Sequence, residues 1–332
     1  MIRRSLTLAL LLLAVGCTTT TVETAGNGPS ASSSSSSGAP EGPSETPPAP
    51  AGKVWTKATT LPRGELRGID CWDDTAVFVA SSQGFLSFEG GGWSTIKDGD
   101  FRAISGTRTS VYGAGAGVLV YSENRKDFYD ASRDIITGYG TTIASLSASP
   151  TGVWMGGENI SNGGLSRCAL LFFSPQGATP DNVPRMCGFT NPVTHVAALG
   201  SSSVFAIAGT SAYQGDAGSS ELKFASSFDS WEGLIALGSD GLAPMGLFAD
   251  KLRTSRVEIS LPRGYVNMEK LNNRVVLVGN KGAVLDVDLN KPTAPVATDI
   301  GPATNEDLVS VCATPSTFWV ASKSALYSYP RK

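Results

Sequence analysis

The sequence predicts an all-β fold, a β-propeller of seven blades over residues 53–332, and three observations predict it. Helical periodicity is nearly absent; short β-branched and aromatic runs alternate with Gly, Ser, Asn and Asp, which reads as strand after strand. The two ends of the region carry one segment twice without a gap. Cys71 is followed by Val77-Phe78-Val79-Ala80-Ser81 and Phe85-Leu86-Ser87-Phe88, and Cys312 by Phe318-Trp319-Val320-Ala321-Ser322 and Leu326-Tyr327-Ser328-Tyr329. Looser copies recur between them at spacings of 34 to 51 residues, the period of four-stranded blades that need neighbours to bury their faces.

Each unit reads as a strand, a turn, an apolar strand ending in small residues, a Gly turn and a further strand. The pairs of runs at 111–114 and 118–121, 153–156 and 170–173, 196–198 and 204–207, and 275–279 and 283–285 keep this outline, and a degenerate copy falls around 234–248. Unit starts are expected near residues 66, 101, 142, 193, 231, 265 and 308. The last unit ends at Tyr329 with three strands only, while Val54-Trp55-Thr56-Lys57 looks like the outer strand Gly92-Trp93-Ser94-Thr95 of the first unit. An N-terminal strand that completes the C-terminal blade closes the ring and removes an orphan edge. Leu61-Pro62-Arg63-Gly64 and its copy Leu261-Pro262-Arg263-Gly264 read as inter-blade turns. The glycines at 113–117 read as a strand–turn–strand junction, because no Lys-Ser/Thr follows to make a phosphate loop.

This outline resembles the broad class of WD40-, YVTN- and BNR-like propellers across most of residues 53–332. It is a likeness of pattern. The Trp72-Asp73 dipeptide sits after the first strand, away from the WD40 position, and Ser87-Phe88-Glu89-Gly90-Gly91-Gly92-Trp93 departs from a BNR Asp-box by Glu89 and by one residue before Trp93. What the resemblance implies is a rigid ring whose loops gather on two rims, a frequent setting for protein binding.

Four cysteines in the body allow three disulfide connectivities, and an even number suits an exported chain. The repeat register favours Cys71–Cys312, since the two hold equivalent places in the first and last units, which a closed ring makes neighbours. Cys168 and Cys187 then fall together in the third unit, where they would pin its outer hairpin.

The N-terminal residues 1–16 read as a secretory signal: Arg3 and Arg4, an apolar stretch over 6–15, then Gly16. Ala14-Val15-Gly16-Cys17 resembles the bacterial lipobox, and the resemblance implies that Cys17 is acylated, with palmitate among the chains, and tethers the protein to a membrane. Thr18 in place of Asp directs the expectation to the outer membrane. Residues 17–52 carry Thr, Ser and Pro runs and no aromatic residue, so they are expected to form a disordered tether reaching about 30–35 Å.

The chain has 26 basic and 29 acidic residues and no basic cluster, so nucleic-acid binding has no footprint. With one histidine and no close Cys pair, no metal site is expected, and no cofactor. His195 lies on a predicted inner strand and reads as structural or channel-lining; no catalytic constellation is identifiable around it, and the protein is expected not to be an enzyme. Asp70, Asp73 and Asp74 read as a solvated turn, and Asn159-Ile160-Ser161 as a coincidental sequon. The binding candidates are Trp72, Asp73, Asp74, Trp154 and Trp319, whose indoles would suit sugars at a rim or packing between blades; the long third unit, 157–186, is the candidate specialised loop. The function these features point to is a lipid-anchored, non-enzymatic assembly scaffold for envelope proteins. The alternative is a glycan-binding module or glycan-active propeller enzyme.

Overall fold

The computed structural model describes residues 54–331 apart from 136–140, 161–167, 176–185, 188–190, 202, 216–221, 227–230, 232, 240–242, 263 and 291–294. The signal, Cys17 and the tether therefore lie outside the described residues, as does most of the long loop of the third unit.

Among the described residues, twenty-eight strands form seven four-stranded antiparallel sheets. Strand β1 (Thr56–Thr60) comes first and belongs to the last blade. Blade I is β2 (Leu66–Cys71), β3 (Ala76–Ser81), β4 (Gly84–Glu89) and β5 (Gly92–Asp98). Blade II is β6 (Phe101–Gly106), β7 (Val111–Gly115), β8 (Leu119–Ser122) and β9 (Tyr129–Asp130), followed by the single-turn helix α1 (Ser132–Ile135). Blade III is β10 (Thr142–Ser149), β11 (Gly152–Ile160), β12 (Cys168–Phe173) and β13 (Met186–Cys187). Blade IV is β14 (Val193–Leu199), β15 (Ser203–Ala208), β16 (Ser211–Gly215) and β17 (Lys223–Ser226). Blade V is β18 (Leu234–Ser239), β19 (Pro244–Phe248), β20 (Lys251–Arg253) and β21 (Glu258–Ser260). Blade VI is β22 (Tyr265–Leu271), β23 (Arg274–Gly279), β24 (Val284–Asp288) and β25 (Val296–Asp299). Blade VII is β26 (Leu308–Ala313), β27 (Thr317–Ser322) and β28 (Ala325–Pro330), with β1 paired to β28.

The first strands of successive blades are neighbours, and β26 returns to β2, so the ring is closed. Six of the seven expected unit starts coincide with a first strand. The fifth does not: Trp231 sits in a turn, accepting the Leu234 N–H at 3.3 Å, and β18 begins three residues later than expected. Trp231 is instead a packing residue between Phe205, at 4.9 Å, and Phe248, at 6.1 Å.

The core lies between blades. One cluster joins Leu66, Val79 and Leu86 of blade I to Trp319, Ala321 and Leu326 of blade VII; another joins Met155 and Leu171 of blade III to Tyr112 and Leu119 of blade II. The second strands, sandwiched on both faces, are the most buried; β3 is buried along its whole length. The small residues that end these strands have a direct cause. A Cβ on Gly115, Gly157 or Gly279 would stand about 2 Å from the carbonyl oxygen of Asp100, Thr142 or Gly264, where the chain enters the paired first strand.

Closure follows the expected register. Strand β1 pairs with β28, Trp55 lies 4.9 Å from the Tyr329 ring, and the Trp55 Nε1–H donates to the Ile300 carbonyl at 2.6 Å. Both disulfides have the expected partners. Cys71–Cys312 spans blades I and VII at a Cα separation of 5.6 Å, and Cys168–Cys187 joins β12 to β13.

Candidate functional site: the central channel

An inner strand at the hub of a ring is an edge strand, with one row of backbone N–H and C=O groups facing the axis. Two devices in this chain deal with that edge. The first is a β-bulge at the same place in all seven first strands. Pairing with the second strand skips between Leu66 and Gly68, Phe101 and Ala103, Ile143 and Ser145, Val193 and His195, Leu234 and Ala236, Tyr265 and Asn267, and Leu308 and Ser310. A bulge bends the strand, increases its twist and re-aims the extra residue, which suits a strand curling around a narrow axis.

The second device is a ladder of side chains, each reaching from one inner strand to the backbone of the next. The Ser310 hydroxyl accepts the Ile69 N–H at 3.1 Å, Ser105 accepts that of Ala148 at 2.9 Å, and Ser145 and Ser147 accept those of Val196 and Ala198 at 3.1 and 2.8 Å. His195 Nε2–H donates to the Ile235 carbonyl at 3.1 Å and Asn267 Nδ2–H to that of Val309 at 3.2 Å. Each bond satisfies a backbone group that the sheet leaves unpaired. His195 thus has a positioning task, and its burial holds its pKa below the ordinary histidine value, so the ring is neutral near pH 7.

These strands enclose a channel of about 810 Å³. The ladder is absent from two junctions among the described residues. Between blades I and II its positions hold Gly68 and Asp70. Asp70 faces Arg125 instead, an ion pair of 2.8 Å, and the almost fully buried Arg125 guanidinium also donates to the Cys71 carbonyl at 2.9 Å and to the Thr107 carbonyl. Gly106 makes room for this arrangement: a Cβ there would lie 2.5 Å from Asp70 Oδ2 and 2.6 Å from an Arg125 nitrogen. Between blades V and VI the ladder positions are Ala236 and Gly238, and the contact is apolar, with Met245 and Met268 in one cluster.

Two carboxyls near the axis titrate high. Burial raises Asp70 to about 6, opposed by Arg125. Glu269 lines the channel, where solvent reaches it but protein surrounds it; loss of hydration, with the Asp70 carboxyl as a second cause, lifts it to about 8. At the bulge level Arg67 and Arg102 of adjacent blades share Asp100, at 2.5 and 3.1 Å.

The sequence-expected binding residues are not brought together here. Trp154 and Trp319 are buried inside the blade stack, Trp154 against Phe172 at 4.8 Å and Trp319 against Phe88 at 6.2 Å, so neither can stack on a sugar. Both sit on second strands, which have no solvent face. Trp72 is half-buried, stacked on Phe78 at 6.4 Å with the Lys126 ammonium 5.8 Å from its ring. Asp73 closes the turn to β3, accepting the Thr75 and Ala76 N–H groups at 2.8 and 2.9 Å. Asp74 accepts the Ser316 and Thr314 hydroxyls of blade VII, bonds that hold its pKa below the usual carboxylate range. Asp73 and Asp74 are exposed residues of the turn before β3, as expected, whereas Asp70 is drawn inward to Arg125. Sequence reading missed Arg125, Glu269, Arg67, Arg102 and the serine ladder. A signal existed for the last three: Leu66-Arg67-Gly68-Ile69-Asp70 and Phe101-Arg102-Ala103-Ile104-Ser105 align residue for residue, and Ser145 and Ser310 hold one position in their units.

No family model and no curated protein matches the chain. Among solved structures, the WD40 β-propeller domain of Doa1 superposes with a TM-score of 0.58 at 12% identity, covering 84% of this chain and 97% of that one. The chain is a β-propeller. YCF48 bound to a D1 peptide gives a TM-score of 0.59 at 12% identity, covering 86% and 99%. A chain of the mitotic checkpoint complex gives 0.60 at 11% identity, covering 87% and 96%. At these identities the likeness concerns the fold.

Proposed function

We propose that this propeller is a lipid-anchored envelope protein, held to the outer membrane through Cys17, that serves as a non-enzymatic scaffold for other envelope proteins. The observation that carries the reading is the pair of disulfides in the body, Cys71–Cys312 and Cys168–Cys187, which suit an oxidising, extracytoplasmic compartment and agree with a secretory signal over residues 1–16. A ring covalently riveted at its closure presents two rims of fixed shape, and rigid surfaces bind with less ordering cost than mobile ones. Two of the similar folds come from structures with a peptide or a multiprotein complex, which supports binding as the use of such rims. The glycan alternative loses two of its three indoles to burial.

The test is cross-linking in the native cell, with capture and mass spectrometry, beside a Cys17→Ser control. A short, reproducible set of envelope proteins that disappears in the control is the expected outcome. Equal recovery from both forms, or no enrichment in either, overturns the tethered-scaffold reading.

A further inference from the structure

Six of the seven bulged residues line the channel, and that lining is two-sided. In ring order it reads Arg67, Arg102, Ala144, Thr194, Ile235 and Val266, while the seventh, Val309, packs on the core between blades VII and I. Two guanidinium groups therefore stand on blades I and II, facing aliphatic side chains on blades V and VI across the axis. The arginine side chains are 35% and 42% exposed, so they are fixed by Asp100 yet still open to the channel. One shared carboxylate neutralises half of their charge. Glu269 and Lys270 also line the channel, three and four residues beyond Val266 along β22, and loss of hydration lifts the Glu269 carboxyl to about 8. Deeper, the apolar wall continues through Leu237, Met245 and Met268.

We propose that this channel binds a small amphiphilic anion, a carboxylate carried on a short aliphatic body. The carboxylate meets the guanidinium pair, for which a planar fork is the matching geometry. The alkyl body lies against Ile235 and Val266, where its contact with water is removed. A channel of about 810 Å³ falls among pockets that enclose such ligands. The site is independent of the anchor and of any protein partner at the rims.

The experiment uses the full chain in lipid nanodiscs with empty nanodiscs as blank, titrated with hexanoate by calorimetry and by saturation-transfer NMR, beside 1-hexanol and hexylammonium. Hexanoate is expected to bind saturably and more tightly than either analogue. The Arg67→Gln/Arg102→Gln double variant is expected to weaken hexanoate at least about tenfold while leaving 1-hexanol unchanged. Ile235→Asn is expected to weaken hexanoate and 1-hexanol together, about three- to tenfold. Should the double variant fail to fold, Arg102→Gln alone keeps the Arg67–Asp100 pair and still carries the charge test. Absence of saturable hexanoate binding, undiminished binding in the arginine variants, or a preference for hexylammonium (which would place the site at Glu269) overturns the proposal.

Discussion

The seam between blades VII and I and the seam between blades V and VI solve one problem in opposite ways. Blades V and VI are joined by a few residues of chain, and apolar packing around Met245, Leu247, Met268 and Leu277 holds their faces, without a ladder bond between their inner strands among the described residues. Blade VII meets blade I through β1, but its other three strands, β26 to β28, come from the far end of the chain, and the Cys71–Cys312 link spans 241 residues. Their seam adds to its apolar cluster that disulfide, the Ser310–Ile69 bond, the Asp74 bonds to Thr314 and Ser316, and the Trp93 Nε1–H donated to the Thr60 carbonyl at 3.0 Å. The difference teaches where specific ties are needed. A short connection keeps two blades at high effective concentration, so packing suffices, whereas the closing seam bears the full loop-closure entropy of the ring.

The sharpest test of that contrast removes the rivet. Cys71→Ala/Cys312→Ala is expected to lower unfolding free energy by about 2–5 kcal/mol, and reductant is expected to destabilise the parent but not that variant further through this bond. Calorimetric melting with and without dithiothreitol checks both. An unchanged melting temperature would mean that β1 and the polar ties already close the ring. At the other seam Met268→Ala is expected to cost about 2–4 kcal/mol, since among the described residues apolar packing joins those inner strands. Hydrogen exchange followed across the ring should then show β18 and β22 opening before β26 and β2.

Smaller effects refine the picture. Asp70 and Glu269 have folded-state pKa values above their unfolded ones, so these two groups bind more protons in the folded than in the unfolded chain between about pH 4 and 8, whereas His195, held below its ordinary value, acts in the opposite direction. The contribution of the two carboxyls to stability is therefore expected to fall as pH rises through that window and to level off above it. Glu269→Gln should remove part of the decline, raising stability by about 1 kcal/mol at pH 8.5, after discounting for solvent in the channel, and by almost nothing at pH 4. Denaturant titrations at the two pH values measure it. Asp74→Ala is expected to cost under about 1 kcal/mol at neutral pH, because its bonds to Thr314 and Ser316 are partly exposed. An effect as large as that of the disulfide would mean that the closing seam is held by its rim.

Legibility followed the kind of contact. The continuous apolar run Val77-Phe78-Val79-Ala80-Ser81 and its copy at Phe318-Trp319-Val320-Ala321-Ser322 mark second strands directly, because a doubly sandwiched strand needs an unbroken apolar run with a small terminus. The sequence pattern places the start of the fifth unit three residues early because Trp231, a turn residue, imitates the first apolar residue of a strand. Trp154 and Trp319 were open to either reading, since an indole suits a rim or a blade interface equally. Arg125 and Glu269 gave little notice: each matters through a group on another blade.

The sequence by itself determined the strand rhythm, the number of blades, the closing strand and both disulfide partnerships. All of these follow from hydrophobic period and repeat register, which are properties of the chain read in order. Only the tertiary structure decided that Asp70 meets Arg125 from a neighbouring blade, that serines cap the backbone of the next inner strand, and that Arg67 and Arg102, on bulges of adjacent blades, share Asp100. Contacts within a blade follow register. Contacts between blades follow twist, bulge geometry and the curvature of a closed ring, which no local pattern encodes.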